Sequence, residues 1–484
     1  MKKNINLILL TCLLCFNTKN IKFYSERNNT KEELHSLIVT FDENASKSKK
    51  ITDIKLKNKG FNNFNLISSG NKNIYLVRVK DYEKAYNILN DIKNVFSVEK
   101  DFALTRNNDS ISRSTYDPID YASIINLSSA WNYETGSSSV LVGILDTGID
   151  SNHSSLQGKI STSLSAIFNN GQIIEDNNPQ DSYGHGTAVA GLIAANQDQT
   201  NKVVGVCQNV TLVSLKITNS VSEANVSNAI AAIDYAKTKN IPILNISYSW
   251  KNSDLSNSTG LLTSIQNYGG LIICSAGNAN INIDSSNNSN NPIYPAIYNL
   301  DNLIIVGNST SSNEKYYSSS YGISSVDIFS PGANVNCLTS TSTGYGGVPR
   351  LVSGTSYSAP LVAGVAALLK SNNPSLSAIK IKEIILESAV KYSSLSAYCV
   401  TGGRLDAYNA LYAINHTHSY RYVDCNNNYY HIKQCNLCYY NYNENHTWVK
   451  KNIILEQNQN DIMYIPGYSC YYCGAYTNIP PELM

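Results

Sequence analysis

Residues Ser353–Leu369 read SGTSYSAPLVAGVAALL, and this stretch decides the fold. A Gly-containing turn leads into Ser356, and an apolar helix follows. Ala359, Val362, Ala363, Ala366, Ala367 and Leu369 are small or apolar around most of that helix, so the pattern predicts a helix buried inside a core. Pro360 is expected in its first turn, where no backbone N–H is owed to a preceding carbonyl. Ser356 then stands at the helix N-terminus, where its own N–H is not used within the helix and the dipole favours negative charge. An oxyanion forming beside Ser356 would meet stabilisation already in place. A lone serine at a helix start is ordinarily a cap, so the rest of the chain has to argue for more.

Three other stretches do so. In SVLVGILDTGID an apolar strand, Val140 to Leu145, runs directly into Asp146, and Gly148 follows in a turn. A carboxylate at the C-terminal end of a parallel strand lines the crevice where such sheets bind ligands. In DSYGHGTAVAGLIAANQ, His185 lies between two glycines at the start of another small-residue helix, and glycines there permit close approach of backbone or substrate. His153 is read as structural. LIICSAGN runs as a strand to Gly277 and Asn278, whose amide either donates to an oxyanion or caps a turn. Between these, VTLVSLKI, IPILNISYS and LDNLIIVGN read as strands alternating with the helices VSNAIAAIDYAKTKN and LLTSIQNYGG, which predicts a parallel α/β sheet. SLSAIKIKEIILESAV and GRLDAYNALYAI read as closing helices.

VGILDTGID, GHGTAVAG, ILNISYS, SAGN, YPA and SGTSYSAP occur in this order over about residues 116 to 413. The chain thereby resembles the subtilisin-like serine peptidases. The resemblance implies a subtilisin-like parallel sheet flanked by helices, and an Asp146, His185, Ser356 triad in that family's chain order. His185 would take the proton of the Ser356 hydroxyl, and Asp146 would fix the imidazole tautomer and stabilise the imidazolium. The Ser356 N–H and the Asn278 side chain would hold the oxyanion. Because His185 must be neutral to act as a base, activity should decline below about pH 6.5.

By the same resemblance the edge Ser247, Tyr248, Ser249 pairs with the substrate backbone, opposite a strand near Ile217 to Ser220 that lacks the family's usual glycines. Ser249 and Trp250 stand where glycine is usual or frequent, and with Ile293 they narrow the pocket for the residue before the cut, favouring small to medium apolar residues. Tyr357 replaces the Met common after the nucleophile. Ser155 replaces an Asp that binds calcium in many relatives; Asn196, Asp198 and Thr200 remain as oxygen donors for a calcium loop. Catalysis itself needs no cofactor.

A length of 484 residues accommodates two or three domains, and a net charge of +1 gives no electrostatic case for nucleic acid. Lys2 and Lys3 before INLILLTCLLCF form an export-signal pattern, assigned to residues 1–25; membrane attachment would come only through this segment left uncleaved. Residues 26–113 contain the order β-α-β-β-α-β of a ferredoxin-like α+β domain. Its place after a signal and before a hydrolase marks it as a propeptide that assists folding and inhibits the catalytic domain, 114–414, until the polar link Arg106–Asp120 is cut. The tail, 415–484, is rich in Tyr, Asn, His and Cys and carries Cys435-x-x-Cys438 and Cys470-x-x-Cys473. These four cysteines suit a structural zinc, alternatively with His431 and His446 joining one pair, while disulfides are the competing reading in an exported chain. Cys207, Cys274, Cys337 and Cys399 are scattered singly, and Cys274 reads as a small buried hydrophobe. Together these features point to a secreted or surface-located, monomeric serine endopeptidase acting on peptides or proteins. A dedicated processing peptidase with one substrate and a surface binding protein using the Cys/His-rich tail are the alternatives.

Overall fold

Continuous runs of aliphatic residues build the central strands of the largest sheet. The computed structural model describes residues 34–42, 45–101, 103–104, 110–111, 118–174, 179–197, 203–218, 224–251, 258–284, 293–416, 420–426, 430–435, 441–445, 448–457, 462–470 and 476–477. The chain divides into two units, Met1–Leu34 and His35–Met484, and every element below belongs to the second. The expected export signal lies outside the described residues.

The N-terminal region runs β1 (His35–Phe41), α1 (Ala45–Asn58), β2 (Phe64–Ser68), β3 (Asn73–Val79), α2 (Tyr82–Asn90) and β4 (Val95–Lys100). Its antiparallel sheet has the order β2-β3-β1-β4. Leu37, Val39 and Phe41 alternate onto one face and form a small core with Leu56, Tyr75, Val77 and Leu89. Ile38, Ile74 and Leu76, joined by Ile67, belong instead to the apolar cluster of the following domain. The sequence predicts one final strand through VFSVEKDFAL. The strand stops at Lys100, because the next residue, Asp101, turns away to accept hydrogen bonds from the Ser227 N–H (2.9 Å) and hydroxyl (2.7 Å). β5 (Ala103–Leu104) and β6 (Ser110–Ile111) then lie on two separate strand edges of the next domain.

That domain opens with two short helical turns, α3 (Tyr121–Ile124) and α4 (Leu127–Ala130), before β7 (Leu141–Asp146), β8 (Ala166–Asn169) and β9 (Gln172–Ile174). α5 (His185–Ala194), β10 (Thr211–Lys216), β11 (Ala224–Asn225), α6 (Val226–Thr238), β12 (Ile243–Ile246) and β13 (Trp250–Lys251) follow. Next come α7 (Thr259–Asn267), β14 (Leu271–Ser275), β15 (Ile293–Tyr294), β16 (Leu303–Ser309), β17 (Ile328–Pro331), β18 (Val335–Cys337) and β19 (Arg350–Ser353). α8 (Thr355–Asn372), α9 (Ala378–Glu387), β20 (Val390–Lys391), β21 (Gly403–Arg404) and α10 (Ala407–Asn415) close it.

The main sheet has the order β20-β21-β17-β16-β14-β12-β7-β10-β8-β9, and β10, β7, β12, β14, β16 and β17 pair in parallel. Its centre is apolar on both faces, as a sheet covered on two sides requires. Ile144, Ile243, Ile273 and Val306 face one core, which α8 fills; Leu145, Leu244, Ile272 and Ile305 face the other, with α6 and α7. Every residue of α8 from Thr355 to Leu369 is buried, as the sequence predicts. β5 pairs antiparallel with β11, and β6 with β19.

The tail holds two three-stranded antiparallel sheets, β22 (Tyr420–Asn426), β23 (Tyr430–Cys435), β24 (Asn441–Asn445) and β25 (Trp448–Gln457), β26 (Ile462–Cys470), β27 (Tyr476–Thr477). Cys435 ends β23 and Cys470 ends β26, so the two belong to different sheets. His431 is paired with Cys425, while Cys435 is paired with Tyr420. Cys438, Cys473 and His446 lie outside the described residues.

Candidate active site

The site forms at the C-terminal ends of the central parallel strands. Asp146 is the last residue of β7, and the chain turns sharply after it through Thr147. The Thr147 N–H donates to Asp146 Oδ1 (2.7 Å). His185 opens α5, after Gly184 in a left-handed conformation (φ +102°) that a side chain would strain. On its other side stands Gly186, where a Cβ would sit 2.0 Å from the Gly148 carbonyl oxygen, so only glycine lets the two turns touch. The imidazole thereby reaches Asp146, with Nδ1 at 2.8 Å from Oδ1 and 2.9 Å from Oδ2. Both side chains are almost wholly buried. A contact to a carboxylate on both oxygens places the proton on Nδ1 and leaves Nε2 as the basic nitrogen.

Asp181 fixes the two turns against each other. Its Oδ1 lies 2.8 Å from the Thr147 hydroxyl and accepts from the Tyr183 and Gly184 N–H groups; its Oδ2 accepts from the N–H and hydroxyl of Thr187. The Gly186 N–H donates to the Thr147 hydroxyl oxygen (3.0 Å). The sequence reading gave Asp181 no role. Its signal was present: an Asp four residues before the histidine, ahead of a Gly-containing turn, is placed to cap the helix that follows.

Ser356 is the second residue of α8, and its position depends on Pro360. That proline is the sixth residue of the helix, not part of its first turn as expected from the sequence. Lacking an N–H, it leaves the Ser356 carbonyl without its partner four residues on. The Ser247 hydroxyl fills the vacancy, donating to the Ser356 carbonyl at 2.8 Å, while the Ser356 hydroxyl donates to the Ser247 carbonyl at 3.1 Å. Asn245 Nδ2 donates in turn to the Ser247 hydroxyl oxygen (2.8 Å). The helix-breaking residue thus locks the serine to the end of β12.

Asn278 follows β14 and Gly277. Its Oδ1 accepts from both the N–H and the hydroxyl of Thr355, each at 2.9 Å, and the Gly277 N–H donates to the same hydroxyl (3.1 Å). With the amide oxygen held there, the donor hydrogens of Asn278 are on its Nδ2 end, beside the residue that precedes Ser356. The rings of Tyr248 and Tyr357 flank the imidazole of His185, each with a centroid separation of 5.7 Å. Tyr357 therefore takes the place of a thioether with a packed aromatic face.

Other residues singled out from the sequence fall as follows. Ser247, Tyr248 and Ser249 are buried at the end of β12. β5 pairs with Ala224–Asn225, just before α6; of the segment Ile217 to Ser220, Asn219 and Ser220 lie outside the described residues. Trp250–Lys251 pairs antiparallel with Ile293–Tyr294, bringing together the two segments expected to narrow the pocket. His153 caps the turn Ser154–Leu156, its Nδ1 accepting from the Ser155 N–H, a structural task. The Asn196 N–H donates to the Ser155 carbonyl, while Asp198 and Thr200 lie outside the described residues. Among the described residues no group of His, Cys, Asp and Glu is arranged to hold a metal ion. Cys207, Cys274, Cys337 and Cys399 are buried and form no disulfide, and burial pushes the thiols of Cys207, Cys274 and Cys399 up, away from the reactive thiolate.

Comparisons with known proteins point to one family. The subtilase family model matches residues 137–413. Thermitase of Thermoactinomyces vulgaris is 30% identical over 284 residues, covering 58% of this chain and 91% of that protein. A thermophilic serine proteinase of Bacillus sp. (strain AK1) is 30% identical over 58% of this chain, which spans 64% of its length. For subtilisin-like protease 1 of Plasmodium berghei, 30% identical over 57% of this chain, the share of that protein is 50%. The crystal structure of the epidermin leader peptide processing serine protease of Staphylococcus aureus superposes with a TM-score of 0.60 over 80% of this chain and 100% of that one, at 20% identity, a likeness of fold. With the match covering more than half of its length, the chain belongs to the subtilase family, whose members are serine endopeptidases.

Proposed function

We propose that this chain is an exported serine endopeptidase, made as an inactive precursor and hydrolysing peptide bonds through an acyl-enzyme. The observation that carries the reading is the Nδ1 contact of His185 with both oxygens of Asp146, at the sheet end where Ser356 and Asn278 also stand. Nε2 of His185 takes the Ser356 hydroxyl proton as Oγ bonds the substrate carbonyl carbon. The negative charge on the carbonyl oxygen is met by the Ser356 N–H and Asn278 Nδ2. The imidazolium, steadied by Asp146, returns the proton to the leaving amine, and water then releases the acyl group by the same steps.

The precursor reading is supported by two short strands that pair with edges of the catalytic domain. β5 lies on β11, and β6 lies on β19, the strand that leads into Ser356. A segment that pairs antiparallel with two strand edges of this domain engages it as an extended substrate would. The cut is expected between Leu104 and Ser110, in the sequence TRNND. Ser356→Ala should abolish peptide hydrolysis, leave the thermal transition in place and yield a precursor that stays whole. N-terminal sequencing of the wild-type product should begin between Thr105 and Ser110. Cleavage by the alanine variant itself would remove the triad assignment.

The narrower reading, a processing peptidase with one substrate that prefers small or medium apolar residues before the cut, is supported by the pairing of Trp250–Lys251 with Ile293–Tyr294, which joins the two segments expected to border that pocket. For the tail, the two C-x-x-C pairs remain best suited to structural zinc, since few aliphatic residues are present to form a core. Metal analysis of the purified protein should find near-stoichiometric zinc that chelator removes; metal-free protein without titratable tail thiols would establish disulfides instead.

A further inference from the structure

One cavity beside the nucleophile takes no part in the steps above. It encloses about 220 Å³ and extends from His185 along β19, with walls that include Tyr183, Tyr345, Arg350, Val352 and Tyr357. Arg350 and Val352 are two apart on one strand, so their side chains leave the same face, and both border the cavity. β6, which follows the expected cut, pairs antiparallel with β19 and sets Ile111 opposite Val352. By that register, substrate residues on the leaving-group side of the cut run along this wall.

Besides aromatic and aliphatic side chains the wall carries Thr339, Thr343 and the His185 ring, and one permanent cation, Arg350. The Arg350 guanidinium carbon lies 3.8 Å from the centroid of the Tyr345 ring. Stacking of this kind uses the flat face of the guanidinium and leaves its N–H donors, which lie in the plane, to a carboxylate. Among the described residues no carboxylate forms an ion pair with Arg350. A half-buried cation stacked on a ring, with no ion-pair partner among the described residues, fits a carboxylate brought by a ligand better than a neutral group. The chain's own segment does not bring one there: position 111 is Ile, and Arg113 follows two residues on.

We propose that Arg350 selects substrates with Asp or Glu on the leaving-group side, at the residue paired with Val352, from which a side chain reaches Arg350 as a diagonal cross-strand neighbour. The inference rests on the peptidase reading. Its test is a set of peptide pairs, cleaved by the self-processed full chain, that differ by Glu or Gln at each of the first four residues after the cut. One position should show about a tenfold higher kcat/KM for Glu, falling as salt is raised. The Glu-to-Gln ratio should drop to about one in Arg350→Gln and give way to a preference for Lys in Arg350→Glu. Because each ratio is taken within one protein, a general loss of activity in a variant does not disturb it. Equal rates for Glu and Gln at all four positions in the wild type, or a ratio unchanged in Arg350→Gln, would overturn the subsite while leaving the peptidase reading intact. Failure to cleave even a peptide anilide, which carries no residue after the cut, would overturn the peptidase reading and the subsite with it.

Discussion

The catalytic end of the sheet and the face that docks the N-terminal region are held by different physics. At the first, β7, α5, α8 and the turn after β14 each deliver one group, and buried polar contacts fix every approach: Asp181 between the Asp146 and His185 turns, Ser247 against Ser356, Thr355 against Asn278. At the second, Ile38, Ile67, Ile74 and Leu76 pack against the helices of the following domain, and two carboxylates cap those helices. Glu99 accepts from the N–H groups of Thr259 (2.9 Å) and Gly260 (3.2 Å) at the start of α7, and Asp101 accepts from Ser227 at the start of α6. A helix N-terminus is readily capped by water once a carboxylate leaves, and four aliphatic side chains cost about 1.5–3 kcal/mol each to expose. Such a face can bind and release. A buried network such as that around Asp181 cannot be opened without stranding several donors at about 1–3 kcal/mol apiece.

The largest expected effect falls on the fixed region. Asn278→Ala removes one of the two proposed oxyanion donors and also strands the Thr355 N–H and hydroxyl that its Oδ1 now satisfies. Turnover should fall on the order of a hundred- to a thousand-fold with KM little changed, a magnitude established for this donor in a subtilisin rather than calculated from this geometry. The contrast sharpens if binding of the N-terminal region, measured on Ser356→Ala with and without the change, stays within a factor of two. A large loss of that binding, with turnover retained, would show that Asn278 is structural and that the two regions are not energetically separate.

Much of this contrast was legible in the chain itself, and its limits have physical causes. The order of Asp146, His185, Asn278 and Ser356 was readable because each sits in a short motif whose glycines the local backbone requires. Burial of α8 was readable from its small residues, since a helix apolar on all sides has nowhere else to go. The role of Pro360 was not, because the start of the helix depends on Thr355 being tied to Asn278, 77 residues earlier. Nor was the departure of β5 from its sheet: nothing local in VFSVEKDFAL says that Asp101 will find Ser227. The tyrosine pair around His185 likewise arises from residues 248 and 357, which only the sheet brings together. Long-range polar partners leave no periodic trace.

The smallest expected effect probes the releasable face through pH. Burial raises the carboxyl of Glu99 and lifts that of Asp101 from 3.8 to about 6, against the lowering influence of the Ser227 hydrogen bonds. A group whose pKa rises on docking binds protons as the complex forms, so its contribution is full below the free value and is lost as pH climbs through about 6. The N-terminal region, added in trans to Ser356→Ala, should therefore bind about tenfold more tightly at pH 5 than at pH 7.5. Glu99→Gln with Asp101→Asn keeps an acceptor oxygen for each helix N-terminus but removes the titration, so affinity should become nearly flat over that range. Tighter binding at pH 7.5 would mean that the helix N-termini hold both carboxylates ionised and outweigh their desolvation. The docking face would then be an electrostatic clamp, closer in kind to the Asp146–His185 pair than its removable role requires.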